Sequence, residues 1–214
     1  MDSGLLLPTT KHRRGRRTAR QEAALAASSP YLVALGGIPA LVASVDSPVL
    51  DIGFGTGEAV VEYAVSDPGR CVIAVDMHTP GIGDLLASIS ERELRNVYVV
   101  DADVRLVLSC LPERSLGGVR TFFPDPWPKK RHHRRRLIQP RFASDVAARV
   151  QSGAFWHIAT DWEDYATAIE EAVAESGVWS GGRIPRPESR PLTRYERRGI
   201  AAGRQPVDLL YVRS

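Results

Sequence analysis

Residues 49–58 read Val-Leu-Asp-Ile-Gly-Phe-Gly-Thr-Gly-Glu. An apolar run enters this stretch, an acid (Asp51) interrupts it, and Gly53, Gly55 and Gly57 follow at alternate positions. Glycines let a backbone turn sharply and approach a ligand closely. The amphipathic residues 57–65 behind them predict a helix whose N-terminal amides face the turn. The stretch therefore reads as strand, ligand-binding loop and helix. A dinucleotide fingerprint needs Gly-x-Gly-x-x-Gly, but position 58 is Glu, so the pyrophosphate-binding spacing is absent.

Downstream, β-rich runs recur at residues 71–75, 97–100, 119–123 and 154–160, and a last one at 207–212 follows a turn-rich stretch, 180–190. Amphipathic stretches at 83–92, 134–150 and 163–175 alternate with them and predict helices. This alternation predicts a doubly wound, mostly parallel α/β sheet. Residues 1–28 are polar and basic, with no apolar periodicity before Ala23, and predict a flexible arm ahead of a single domain, 29–214. Acids recur where predicted strands end. Asp76 closes the second strand, where a carboxylate can take ribose hydroxyls. Asp103 follows the third, within reach of a base amino group, and Asp125 lies beyond the fourth. Four carboxylates at successive strand ends suit a crevice for a polar, partly cationic ligand.

Composition narrows the function classes. Cys71 and Cys110 have neither metal-ligand spacing nor the density of a secreted scaffold, and read as reduced thiols in a cytoplasmic protein. No apolar run approaches the ~18 residues of a membrane span. Charge is segregated: residues 11–20, 129–141 and 183–204 hold 20 of the 28 Lys and Arg residues but 2 of the 25 acids. Such clusters repel themselves unless a partner neutralises them, and nucleic acid does so through its phosphates.

The central basic segment is the most distinctive. Residues 122–142 read FFPDPWPKKRHHRRRLIQPRF. Pro124, Pro126 and Pro128 predict a stiff, extended rail presenting Asp125 and Trp127, because each proline restricts its own φ and the residue before it. The run Lys129–Arg136 follows, its second half predicted to open a helix. Two later segments are ATDWEDY (159–165) and RPLTRYERRG (190–199). With these in place the chain, from about Pro48 to the C-terminus, resembles the bacterial tRNA (guanine-N7-)-methyltransferases.

The resemblance implies a Rossmann-like class I methyltransferase fold, S-adenosyl-L-methionine as cofactor, and methyl transfer to N7 of a guanine in the variable loop of tRNA. It implies cofactor contacts at Asp51, Gly53, Gly55, Gly57, Asp76, Asp103 and Asp125, with Asp125 also catalytic. It implies substrate or RNA contacts at Lys129, Arg131, His132, His133, Arg134, Arg135, Arg136, Asp161, Thr193, Arg194, Tyr195 and Glu196. The family more often has Glu where this chain has Asp51 and Asp76, which are one methylene shorter. The chemistry calls for no metal, since guanine N7 already carries a lone pair. Trp127, Trp162 and Tyr195 are candidates to stack on an extruded base. The expected partner is tRNA, with no membrane, and the protein acts as a monomer or homodimer. A nucleotide-dependent oxidoreductase, a non-catalytic RNA-binding protein and a methyltransferase for another nucleic acid are the competing readings.

Overall fold

The computed structural model describes residues 16–27 and 29–214. Its strands are β1 (Val49–Ile52), β2 (Val72–Asp76), β3 (Val97–Asp101), β4 (Leu116–Phe122), β5 (Val150–Thr160), β6 (Trp179–Ile184) and β7 (Val207–Arg213). They form one sheet in the order β3-β2-β1-β4-β5-β7-β6. The first five pair in parallel, and β7 runs antiparallel to both β5 and β6. The α-helices are α1 (Ala19–Ala26), α2 (Ile38–Ser44), α3 (Glu58–Ser66), α4 (Thr79–Glu91), α5 (Val104–Cys110), α6 (Pro140–Arg149), α7 (Glu163–Ser176) and α8 (Arg194–Ala201).

Parallel strands flanked by helices are apolar on both faces, and the alternation of side chains decides which layer each residue meets. Leu50, Ile52, Ile73, Val75 and Val100 pack against α2, α5, α6 and α7. Val72, Ala74, Val97 and Val99 pack against α3 and α4. On this second face β5 and β7 bring together polar side chains: His157 and Asp208 are buried with Arg190 and, from α8, Glu196. The α8 helix is thus held on the sheet by charge.

Four expectations change. Within the predicted arm, residues 19–26 form α1, with Thr18 and Gln21 closing a capping box. Its Arg20 reaches Asp84 and Glu91 of α4, and Gly83 lets Gln21 approach so closely that an added Cβ would meet it at 2.9 Å. Residues 1–15 and 28 lie outside the described residues. The helix predicted from Arg134 begins at Pro140, because proline keeps Gln139 extended at φ −133° and ψ 162°. The basic run forms instead a 3₁₀ helix, Lys130–Arg135. The stretch 180–190 opens as the edge strand β6, and α4 starts at Thr79, four residues before the predicted helix.

Candidate active site

Strand order reverses between β1 and β4, and crevices form beyond the carboxyl ends of strands at such a point. A cavity of about 260 Å³ opens there, walled by the β1–α3 loop, the end of β2, the segment after β4 and the start of α8. Gly53, Gly55 and Gly57 have φ of 73°, 62° and 80°, the left-handed region that side chains disfavour. Gly57 also packs where an added Cβ would lie 2.9 Å from Leu85.

Asp51 stands in the cavity wall, 3% exposed, and its Oδ2 has no hydrogen-bond partner. Burial pushes its carboxyl up to about 6, an effect that neighbouring Arg120 opposes and Asp76 adds to. An ionised, dry carboxylate lacking a donor fits a cationic amino group. The site therefore suits the amino-acid end of S-adenosyl-L-methionine. Asp76 is placed differently: its Oδ2 accepts from Gly55 N (2.8 Å), and its Oδ1 from Met77 N (2.7 Å) and His78 N (2.9 Å). With the shorter side chain, the carboxylate braces the glycine loop as well as lining the cavity.

The opposite wall carries Phe122, Phe123, Asp125, Trp127 and Arg135. The proline segment is not the extended rail expected. Phe123 and Trp127 adopt φ of 51° and 44°, so the chain bends twice around Asp125. Left-handed backbone at bulky residues costs about 1–3 kcal/mol and persists where surroundings enforce it. Arg136 supplies that enforcement. Buried, it donates to the Pro126 carbonyl (2.9 Å), pairs with Asp164 at the start of α7, and stacks 4.8 Å from the Tyr165 ring centroid. Arg135 lies 4.9 Å from the Trp127 centroid, and His132 meets that ring edge-on at 5.8 Å. The His132 ring has its pKa lowered by desolvation and by the surrounding arginines and Lys129.

A family model described as a putative methyltransferase matches residues 46–209. The tRNA (guanine-N(7)-)-methyltransferase of Thiobacillus denitrificans is 45% identical over 188 residues, covering 86% of this chain and 83% of that protein. That of Chromohalobacter salexigens is 42% identical, covering 94% and 87%. The chain belongs to the tRNA (guanine-N(7)-)-methyltransferase family. Among solved structures, the 16S rRNA methyltransferase KamB superposes with a TM-score of 0.61 at 20% identity, covering 82% of this chain and 92% of that one, which supports the fold.

Within this family member, not every residue implied by the resemblance reaches the cavity. Asp51, Gly53, Gly55, Asp76, Asp125, Arg135, Thr193 and Tyr195 line it; Gly57 supports the loop from behind. Asp103 caps α5, accepting from Arg105 N at 2.9 Å, and does not line the cavity. Asp161 pairs with Arg204 at 2.7 Å beneath Gly199 of α8. Glu196 is 0% exposed and bonded to Arg190 and Arg186, so it anchors α8 and is closed to an RNA base. Arg136 likewise belongs to the scaffold. Lys129, Arg131 and Arg134 are exposed, with His132 and His133 half-buried between them. Trp162 packs against the core.

Sequence reasoning missed two residues. Glu58, noticed only for excluding the dinucleotide pattern, accepts from Arg194 N (2.8 Å) and Arg197 (3.1 Å) and ties α8 to the glycine loop. Arg120 pairs in register with Asp51 on the adjacent strand, its guanidinium 3.5 Å from the Tyr63 centroid. A lone charged residue within a strand expected to be buried is the available signal. Among the described residues no cluster of His, Cys, Asp and Glu is placed to hold a metal ion, and no helix is long and apolar enough to cross a membrane.

Proposed function

We propose that this cavity transfers a methyl group from S-adenosyl-L-methionine to N7 of a guanine in the variable loop of tRNA, in the cytoplasm. One observation carries the reading. The dry, unpartnered Asp51 and the exposed Asp125 wall the same cavity, and Arg135 brings the basic run to it.

When bound, S-adenosyl-L-methionine supplies a methyl group made electrophilic by its sulfonium sulfur. Asp51 holds its cationic end, and Asp76 keeps the glycine loop shaped around it. Guanine N7 attacks with a lone pair outside the aromatic sextet, so no side chain has to remove a proton first. The chain's task is alignment and charge stabilisation. As the N7–methyl bond forms and the sulfur–methyl bond breaks, its electron pair passes to sulfur, the neutral thioether S-adenosyl-L-homocysteine leaves, and the Asp125 carboxylate lowers the energy of the charge that appears on the purine. The same carboxylate can accept from guanine N1–H and N2–H, which adenine cannot offer in that pattern. Trp127, braced by Arg135 and His132, presents a ring on which the extruded base can stack. The exposed cations Lys129, Arg131 and Arg134 hold the phosphates that flank it.

The test is substrate substitution. An unmodified tRNA transcript is expected to accept one methyl group, and the same transcript with its variable-loop guanine changed to adenine is expected to accept none. Equal methylation of both would refute the site assignment.

A further inference from the structure

Among the described residues, two of the three basic segments are largely neutralised from within. Between residues 183 and 204, Arg183 pairs with Glu163 and Glu170, Arg186 and Arg190 with Glu196, Arg197 with Glu58, and Arg204 with Asp161. Arg194 and Arg198 make no ion pair among the described residues. At the start of the described chain, Arg17 meets Glu22, and Arg20 meets Asp84 and Glu91. Arg16 is left over in the same sense.

These three arginines, from opposite ends of the sequence, line one cleft of about 280 Å³ between α1, the glycine loop and α8. His78 adds a fourth nitrogen donor or cation. The single acid in the wall, Asp84, is already engaged by Arg20 and Gln21. Arg194 and Arg198 stand four residues apart on one helix, a spacing at which like charges repel. The free protein thus carries an unfavourable concentration of positive charge that an anion would relieve. Position selects the anion. Thr56, His78 and Tyr195 line both this cleft and the methyl-transfer cavity, so the two lie side by side with Tyr195 between them. Arg135 and the basic run stand on the other wall. A strand whose base enters the cavity runs past both.

We propose that Arg16, Arg194 and Arg198 form a second phosphate-binding cleft for tRNA, so that the target guanine is presented from a backbone gripped on both sides of the cavity. This rests on the tRNA assignment above, and it makes α1 part of the substrate surface.

The experiment measures tRNA affinity across a salt series, and S-adenosyl-L-methionine affinity in parallel, for the full-length protein and for Arg16→Glu, Arg198→Glu and the double variant. Each single change is expected to weaken tRNA binding about tenfold and to lower the slope of log affinity against log salt by about 1. Cofactor affinity is expected to stay within about twofold. Using residues from two separate segments, one before α1 and one in α8, guards against a local defect in either. Unchanged tRNA affinity and slope would overturn the proposal, as would weakened cofactor binding with tRNA binding intact. The tRNA assignment itself is read separately, from methylation by the unaltered protein in the same preparation.

Discussion

The basic segments at 129–136 and 183–204 look alike in sequence and have opposite fates in the structure. In the first, among the described residues, Lys129, Lys130, Arg131, Arg134 and Arg135 form no salt bridge, and Arg136 turns inward to Asp164, which His133 also approaches at 3.7 Å. In the second, five of seven arginines meet acids of this same chain, and Arg190 is fully buried between Glu196 and Asp208. Charge density alone therefore does not distinguish a surface awaiting a polyanion from an internal clamp. What separates them is whether the fold brings carboxylates to the arginines. The clamp is functional all the same, since it fixes the helix that sets Thr193 and Tyr195 against the glycine loop.

The largest expected effect sharpens that contrast from the buried side. Arg190→Ala removes the buried cation that bridges Glu196 and Asp208, leaving Glu196 only Arg186 and Asp208 only His157, and loss of one member of such a network costs about 3–5 kcal/mol. Urea denaturation is expected to show that loss, with or without RNA. Arg131→Ala combined with Arg134→Ala is the counterpart. Its stability should match the unaltered protein, while tRNA affinity at ~0.1 M salt falls about tenfold or more and the salt slope declines by about 2. Arg136→Ala should behave like the buried class and destabilise; if it altered only RNA affinity, the division drawn between the segments would break.

A third kind of cation, in neither segment, acts on the cofactor side. Arg120 opposes the upward shift of Asp51, whose carboxyl titrates at about 6. Folded protein holds a proton on Asp51 between about pH 4 and 6 that the unfolded chain has released, so this group's contribution to stability falls as pH rises through that window. Cofactor affinity is expected to run the other way, because an ammonium held by Asp51 would bind the ionised form. S-adenosyl-L-methionine affinity is expected to drop about fivefold from pH 6 to pH 5, as read by calorimetry. Asp51→Asn should flatten the dependence, and Arg120→Met should move its inflection to higher pH. The smallest effect is expected at Arg141, an exposed residue 3.9 Å from Asp145 one helical turn away. Arg141→Ala should change neither stability nor tRNA affinity measurably.

Much of the fold was legible because its signals are local. Buried parallel strands appear as short apolar runs, and the glycine loop as alternate glycines. Pro140 also marks the true start of α6, a cue that the run of arginines before it obscured. The site was only half legible. Strand-end acids can be recognised, but whether a side chain faces a cavity or caps a helix depends on its rotamer and on distant partners. Asp103 and Asp161 followed the expected pattern and were drawn to Arg105 N and Arg204. Glu196 lies in a matching motif, yet Arg190, six residues earlier, takes it into the interior. The bends at Phe123 and Trp127 were hidden because they are imposed by Arg136 and α7, whereas proline alone favours extension.

Single-turnover methyl transfer, with enzyme in excess over an unmodified tRNA and nucleoside analysis of the product, tests the central claim most directly. The unaltered protein is expected to yield 7-methylguanosine, and Asp125→Asn to lose about 10²–10³-fold in rate while still binding tRNA and cofactor. A different methylated nucleoside, or an Asp125→Asn rate near that of the unaltered protein, would contradict the account.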